Sequence, residues 1–316
     1  MILRACLSGA LLTVLTTFAA ADECALKELA SLDVSVDGNG ISIPARLEGT
    51  DGYFYVNPDT QSSELAQAAV DRLKLRQLPV NTRRVFTLAY GKMIVKYVDA
   101  SILLGGRFDF KYPVQVTSPP WQSDSKFLGL IGRDILSQFE VELDLARAKM
   151  NLFASDHCPK QVIYWTRTAP VAIVPLGAIH FPGELKGLGL FQIPMKLDGK
   201  DVTGELTFTQ KDEVSSLSAI KLFGIDASGP SLVFKQLSIG DISILNPKFD
   251  VERMDPKTGC DVGGFEAFNA TARSAMQVTS CSGGADVKLG IPTLKKLRIF
   301  MSFKEKTLYA TAADAN

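Results

Sequence analysis

Few side chains in this sequence are of types that do chemistry, and fewer are spaced to do it together. There are two histidines, His157 and His180, and five cysteines in 316 residues. With no H-E-x-x-H spacing and no C-x-x-C pair, no metal ligand set is expected. Ser62, Ser63, Ser215, Ser216 and Ser218 lack a G-x-S-x-G context, which leaves a Ser-His hydrolase without its strained nucleophile turn. No G-x-x-x-x-G-K-[ST] is present and no G-x-G-x-x-G follows a strand, so no nucleotide or other cofactor is expected. Carboxylates remain. Asp59 follows Pro58 in a polar stretch, and Asp212 lies in a similar stretch further along. Two carboxylates facing each other can share one proton, the ionised one activating a water and the protonated one assisting a carbonyl. That chemistry needs one acid from each of two positions that the fold brings together.

The remaining composition narrows the partners. Lys+Arg 34 balance Asp+Glu 34, so there is no basic footprint and no nucleic-acid partner is expected. A 46% hydrophobic content is enough for packed cores. Residues 1–21 carry Arg4, an apolar run from Ala10 to Phe18, and the small residues Ala19 and Ala21 ahead of Asp22-Glu23. This is the pattern of a cleaved export signal. The run is short of the roughly 20 residues that cross a bilayer. Export to a periplasm or to the outside is therefore expected, with no membrane contact after cleavage. Cys24, Cys158, Cys260 and Cys281 remain, an even count that favours two disulfides in an oxidising compartment. Of the three connectivities, the favoured one joins Cys260 to Cys281, close in sequence, and Cys24 to Cys158, tying the start of the first half to its end.

The elements that must position any site come from an internal repeat. The segment IPARLEGTDGYFYVN from Ile43 reappears as IPMKLDGKDVTGELT from Ile193, with Pro44/Pro194, Leu47/Leu197 and Gly49/Gly199 at the same offset. Each copy runs into a stretch read as helical, ending at Leu75 and at Ile225. A second block, from Gly132 to Phe153, is repeated from Gly290 at a slightly larger offset. Each first block reads as a hairpin, Ile41 to Leu47 with Tyr53 to Val56, and Phe191 to Leu197 with Val202 to Phe208. Each second block reads as a short helix, Asp134 to Gln138 and Thr293 to Lys296. Alternating strands follow, with Val141, Leu143 and Leu145 on one face, and Ile299, Met301 and Phe303 in the other copy. The chain is thus divided into residues 1–21 as signal, 22–155 as the first lobe, 156–175 as an ordered inter-lobe connector with strand character, and 176–316 as the second lobe. An all-β fold with short helices is expected.

This arrangement resembles the retropepsin-like and pepsin-like aspartic peptidases, in the exported two-lobed form found in bacteria. The resemblance rests on the hairpin, turn and helix block followed by LGLIGRDILSQFEVELDLARAKMNLF, where Leu130-Ile131-Gly132 fits the family's apolar-apolar-Gly element and Val287 to Gly290 fits it more loosely. Asp156 to Trp165 is similar to the connector of such two-lobed members. The resemblance implies two homologous acid-protease-like β-barrel lobes, a cleft between them, and one Asp-Thr/Ser-Gly turn from each lobe. It also implies a flap near Leu88 to Val98 with Tyr90-Gly91 at its tip. In the second half Ile239-Gly240-Asp241 reads as a turn.

Aligned through the following helices, the two turns fall on Asn57-Pro58-Asp59 and Thr207-Phe208-Thr209. Neither first position is an aspartate. Asn57 has the shape of aspartate without its titrating proton, Thr207 has no carboxylate, and Asp59 and Thr209 stand where a glycine would let the turn close tightly. Thr207 and Thr209 read as ordinary strand residues, Asp59 as a turn residue after Pro58, and Asp212 as a helix cap. The expectation is a monomeric, exported pseudo-peptidase, not an enzyme, that binds an extended peptide or protein segment through Asn57, Asp59, Tyr90, Gly91, Thr207 and Thr209. The alternative is an active aspartic endopeptidase with non-standard carboxylates, Asp59 first and Asp212 second.

Overall fold

The computed structural model describes residues 25–78, 85–88, 91–94, 96–117, 126–176, 191–209, 211–216, 220, 222–225, 229–252 and 285–314, with backbone only for 85–94. Residues 1–21, Cys24, Tyr90, Cys260 and Cys281 lie outside them.

Each lobe is built on the repeated hairpin. Strands Gly40–Leu47 and Thr50–Val56 pair with Ile43 opposite Phe54, and strands Gln192–Leu197 and Lys200–Leu206 pair with Ile193 opposite Gly204. The turns between them, Glu48-Gly49 and Asp198-Gly199, hold both residues at positive φ (49° and 77°, 46° and 80°). Such paired left-handed residues match the right-handed twist of the flanking strands, which is why an acid-Gly pair recurs in both copies.

A third strand is then inserted in each lobe. Phe127–Ile131 runs parallel to Thr50–Val56 and antiparallel to Glu64–Ala66, so the chain that leaves Val56 turns and returns on the far side of the inserted strand. In the second lobe Val287–Leu289 lies in the same way between Lys200–Leu206 and Val214–Ser216. The segments read as wholly helical therefore open as strands. The ladder to the inserted strand overrides local helix preference at Glu64–Ala66, and the helix Gln67–Arg72 starts only after it. In the second lobe, residues 220 and 222–223 are helical. The short helices of the second blocks occupy Arg133–Leu136 and Ile291–Leu294, each a residue or two earlier than expected.

The first lobe closes. From Gly40–Leu47 the sheet passes through Thr50–Val56, Phe127–Ile131, Glu64–Ala66, Phe108–Thr117 and Lys96–Leu104, which pairs back onto Gly40–Leu47 through Ala45 and Leu104; Ser35–Asp37 adds an edge. The second lobe is an open, curled sheet in the order Ser231–Val233, Lys248–Glu252, Val214–Ser216, Val287–Leu289, Lys200–Leu206, Gln192–Leu197, Gln236–Ile239, Ile242–Leu245. Gly240 at φ 54° makes the turn between the last two strands at the expected place. Two barrel-like β lobes with short helices are thus the architecture.

A six-stranded sheet joins them, in the order Glu28–Asp33, Lys149–Phe153, Glu140–Asp144, Leu297–Ser302, Thr307–Ala312, Ala172–Pro175. Its first three strands come from the first half, the next two from the second, and the last, Ala172–Pro175, from the end of the connector. At the centre Glu142 lies opposite Phe300, its own counterpart in the repeat, so the pseudo-twofold axis passes between these two residues. One face carries Val141, Leu143, Leu145, Ile299, Met301 and Phe303 into the main core, as the alternation predicts. The other face carries Glu140, Glu142 and Asp144, which are nevertheless buried. The connector covers them: from Ala154 to Val171 it is irregular rather than strand-like, and only Ala172–Pro175 joins the sheet. Beneath it Phe153, Val162, Phe300 and Tyr309 form a second small core.

Candidate functional site

The two turns aligned with the family's catalytic turns occupy equivalent places. Each begins where a strand ends beside the inserted strand, with Asn57 N–H donating to Ile131 O at 3.0 Å and Thr207 N–H to Leu289 O at 2.9 Å. Thr207 to Thr209 are accordingly past the end of strand Lys200–Leu206, in a bend, and not strand residues. The turns also approach each other. A Cβ on Gly40 would lie 3.1 Å from Phe208 O and 3.2 Å from Thr209 Cα. Gly40 opens the strand that pairs with Thr50–Val56, and continuing the Ser42–Tyr55 register by two residues sets it across from Asn57. A side chain here would press on the second turn by a few tenths of an ångström, and the φ of 139° at Gly40 is one that residues with a side chain rarely adopt.

The polar atoms of Asn57 are engaged inside its own turn, and the Thr207 hydroxyl is engaged by the inserted strand of its own lobe. Asn57 Nδ2 donates to Thr60 Oγ1 at 2.9 Å, and Asn57 Oδ1 accepts Asp59 N–H at 3.2 Å. This is the side-chain turn that Asn favours, with Thr60 N–H bonding Asn57 O at 3.1 Å to close it. Thr207 Oγ1 donates to Leu289 O at 3.2 Å. Neither side chain carries a titrating group, and neither is oriented by its bonds toward a shared partner. Asp59 sits half-buried within the Asn57 turn, while Asp212 is exposed in a bend just before Val214–Ser216 and caps no helix. Gly91 faces Leu88 in the separate hairpin Val85–Leu88 and Gly91–Ile94, while Lys96–Leu104 belongs to the barrel. The expected flap segment is therefore a hairpin displaced toward its N-terminal side.

Sequence reasoning missed the joint that fastens each turn. In the first lobe Asp134 accepts Ser63 Oγ–H at 2.6 Å, Ser63 N–H at 2.9 Å and Tyr112 O–H at 2.9 Å, while Ser63 Oγ accepts Gly132 N–H at 2.9 Å. Arg133 N–H and Asp134 N–H bond Thr60 O and Gln61 O. A Cβ at Gly132 would meet Ser62 C at 2.7 Å, which explains the glycine of the Leu130-Ile131-Gly132 element. Burial raises the Tyr112 phenol, reinforced by the Asp134 carboxylate. In the second lobe the repeat places Glu213 where Ser63 stands, and Glu213 accepts the Thr293 hydroxyl. The acid and the hydroxyl have exchanged sides of the same joint. Burial pushes the Glu213 carboxyl above its ordinary range, opposed by the bond from Thr293. The repeat brings Glu213 to the position of Ser63, but Thr293 stands one residue past the counterpart of Asp134, so matching by position finds only one side of this pair.

Elsewhere, a shallow cavity of about 440 Å³ on the first lobe is lined by Glu48, Asp99, Ser101, Lys111 and Tyr112, among others. Glu48 Oε1 accepts Ser101 N–H within its wall, and the Ser101 hydroxyl donates to Asp109 beside it. Among the described residues no group of three or more His, Cys, Asp or Glu side chains could hold a metal ion, and no helix is long and apolar enough to cross a membrane. Cys158 is disulfide-bonded, and the other four cysteines lie outside the described residues. No family model matches the chain, and no curated protein matches it.

Proposed function

We propose that this chain is an exported, non-catalytic relative of the two-lobed aspartic peptidases, and that it binds an extended peptide or protein segment where the two turns meet. The observation that carries this reading is the state of the two central positions. Each turn leaves a strand end beside its lobe's inserted strand, yet neither Asn57 nor Thr207 is a carboxylate, and the Asn57 amide and the Thr207 hydroxyl are bonded within their own lobes. A shared proton cannot be held between them. What such an arrangement can still offer an extended chain is main-chain hydrogen bonding with alternate side chains in pockets.

The test is a panel of unstructured peptides presented to the purified mature protein, scored separately for capture and for cleavage from acidic to mildly alkaline pH. Capture without cleavage is the expected outcome. Cleavage that disappears in Asp59→Ala would overturn the reading in favour of non-standard carboxylates. Absence of both capture and cleavage by a folded protein would overturn peptide binding altogether.

A further inference from the structure

A buried cluster at one end of the six-stranded sheet stands apart from the turns. Glu140 is fully buried on strand Glu140–Asp144, and His157, on the connector, is 3% exposed. His157 Nδ1 lies 2.9 Å from Cys158 O. A carbonyl oxygen only accepts, so Nδ1 carries a hydrogen. His157 Nε2 then faces Glu140 Oε1 at 3.7 Å. A neutral ring with its proton on Nδ1 presents a lone pair there, and an ionised carboxylate presents another. The contact is attractive only if one further proton resides on the ring or on the acid. Neither His157 Nε2 nor Glu140 Oε2 has a hydrogen-bond partner among the described residues.

The surroundings fix where that proton can go. Glu140 Oε1 accepts Lys304 N–H at 3.2 Å, while the Lys304 ammonium points away to Ser155 O. Glu305, on the turn between Leu297–Ser302 and Thr307–Ala312, approaches His157 Nδ1 at 3.7 Å. Its two oxygens already accept Lys160 N–H at 3.0 Å and Tyr309 O–H at 2.5 Å. Phe300 covers the imidazole edge-on. Among the described residues no cation other than the imidazole itself is set against Glu140.

We infer that Glu140 and His157 hold one proton between them, and that this proton latches the connector to the six-stranded sheet and is released, loosening the connector, as the pH rises. The sign follows from counting protons. In the unfolded chain the pair's last shared proton leaves near the ordinary histidine value, about 6.5. Losing that proton in the fold would leave the fully buried Glu140 carboxylate with no countercharge set against it among the described residues, a cost the unfolded chain does not bear, so the folded state holds the proton more tightly. The folded state then binds more protons than the unfolded one, and stability falls as pH rises above neutral. The connector end held by Cys158 and the turn around Lys304 would open first.

Hydrogen exchange of the mature protein, corrected for intrinsic base catalysis, reads this directly. Protection around Lys160, Gln161 and Lys304 should fall about tenfold for each pH unit across the release window. In Glu140→Gln, whose amide can donate to Nε2 and cannot ionise, that loss should vanish. An identical pH dependence in both proteins, or none in the wild type, overturns the inference. Should Glu140→Gln fail to fold, ring ¹⁵N spectra of the wild type decide it, with only two histidines to resolve and His180→Gln to assign them. A neutral His157 with its proton on Nε2 would overturn the inference.

Discussion

Ser63→Ala tests whether the turn around Asn57 is held by the joint described above. The hydroxyl has two roles that alanine cannot fill. It accepts the buried Gly132 N–H and donates to the Asp134 carboxylate. Losing the first leaves a backbone donor unsatisfied in a site that is 1% exposed, at a cost of about 1–3 kcal/mol. Losing the second removes one donor of a carboxylate that keeps the Ser63 N–H and the Tyr112 hydroxyl, so the lower end of the ~1.5–3 kcal/mol range for bonds to charged groups applies. The expected total is about 2–4 kcal/mol, a sizeable part of the ~5–15 kcal/mol by which domains are typically stable. Tyr112→Phe removes a donor from the same carboxylate but leaves Gly132 paired. It should cost less, about 1–2 kcal/mol. Guanidinium unfolding followed by far-ultraviolet circular dichroism measures both. A Ser63→Ala protein within about 0.5 kcal/mol of wild type, or one no worse than Tyr112→Phe, would show that the bond to Gly132 N–H does not hold this turn.

Three other outcomes follow from the same geometry. Asn57→Asp should cost under about 1 kcal/mol, because the Thr60 hydroxyl can turn to donate to the new carboxylate, whereas Thr207→Asp sets a carboxylate against Leu289 O and should cost about 1–3 kcal/mol; equal losses in unfolding experiments would contradict this. Arg298→Ala should cost about 3–5 kcal/mol, since it leaves the fully buried Glu142 without its 2.5 Å cationic partner. It also removes the guanidinium stacked 4.2 Å from the centre of the Trp165 ring, so a shift in that tryptophan's emission reports the same change. Ala154 N–H bonds Lys27 O at 2.9 Å, which draws the chain following Cys24 toward the chain preceding Cys158; non-reducing peptide mapping should find these two cysteines joined, and any other partner for Cys158 would sink the pairing.

The backbone was more legible in the sequence than the chemistry was. The offsets between the repeated blocks predicted which hairpins recur, and the acid-Gly pairs at Glu48-Gly49 and Asp198-Gly199 fix their turns by φ alone. Leu130-Ile131-Gly132 was legible for a steric reason, since the inserted strand passes too close to Ser62 for any side chain at position 132. The helical reading of Glu64–Ala66 failed because those residues are held by a ladder to a strand far away in sequence, which local pattern does not reveal. Glu140, Glu142 and Asp144 alternate with Val141 and Leu143 as a solvent face would. Only the connector, which has no periodicity of its own, buries them. The joint at Ser63 was hidden for another reason. Its counterpart exchanges acid and hydroxyl, so matching like with like between the lobes passes over it.

That exchange bears on how the two lobes diverged. The repeat keeps its register across both sheets and keeps the cross-strand ion pair Arg46–Asp51 as Lys196–Asp201, but at the turns, the joints and the axis the related residues differ: Asn57 and Thr207, Ser63 and Glu213, Asp134 and Pro292, Glu142 and Phe300. On the axis itself difference is favoured physically, because two glutamates at 142 and 300 would stand directly opposite each other and repel. At the turns the reverse holds for the family chemistry, which requires the same acid from both lobes and so confines one proton between them. Here neither Asn57 nor Thr207 supplies such an acid, while buried acids are gathered behind the central sheet, where Arg298 and His157 face them. The charges therefore hold the lobes together from the back of the sheet, and the meeting point of the turns keeps its backbone approach at Gly40 without a carboxylate at either central position.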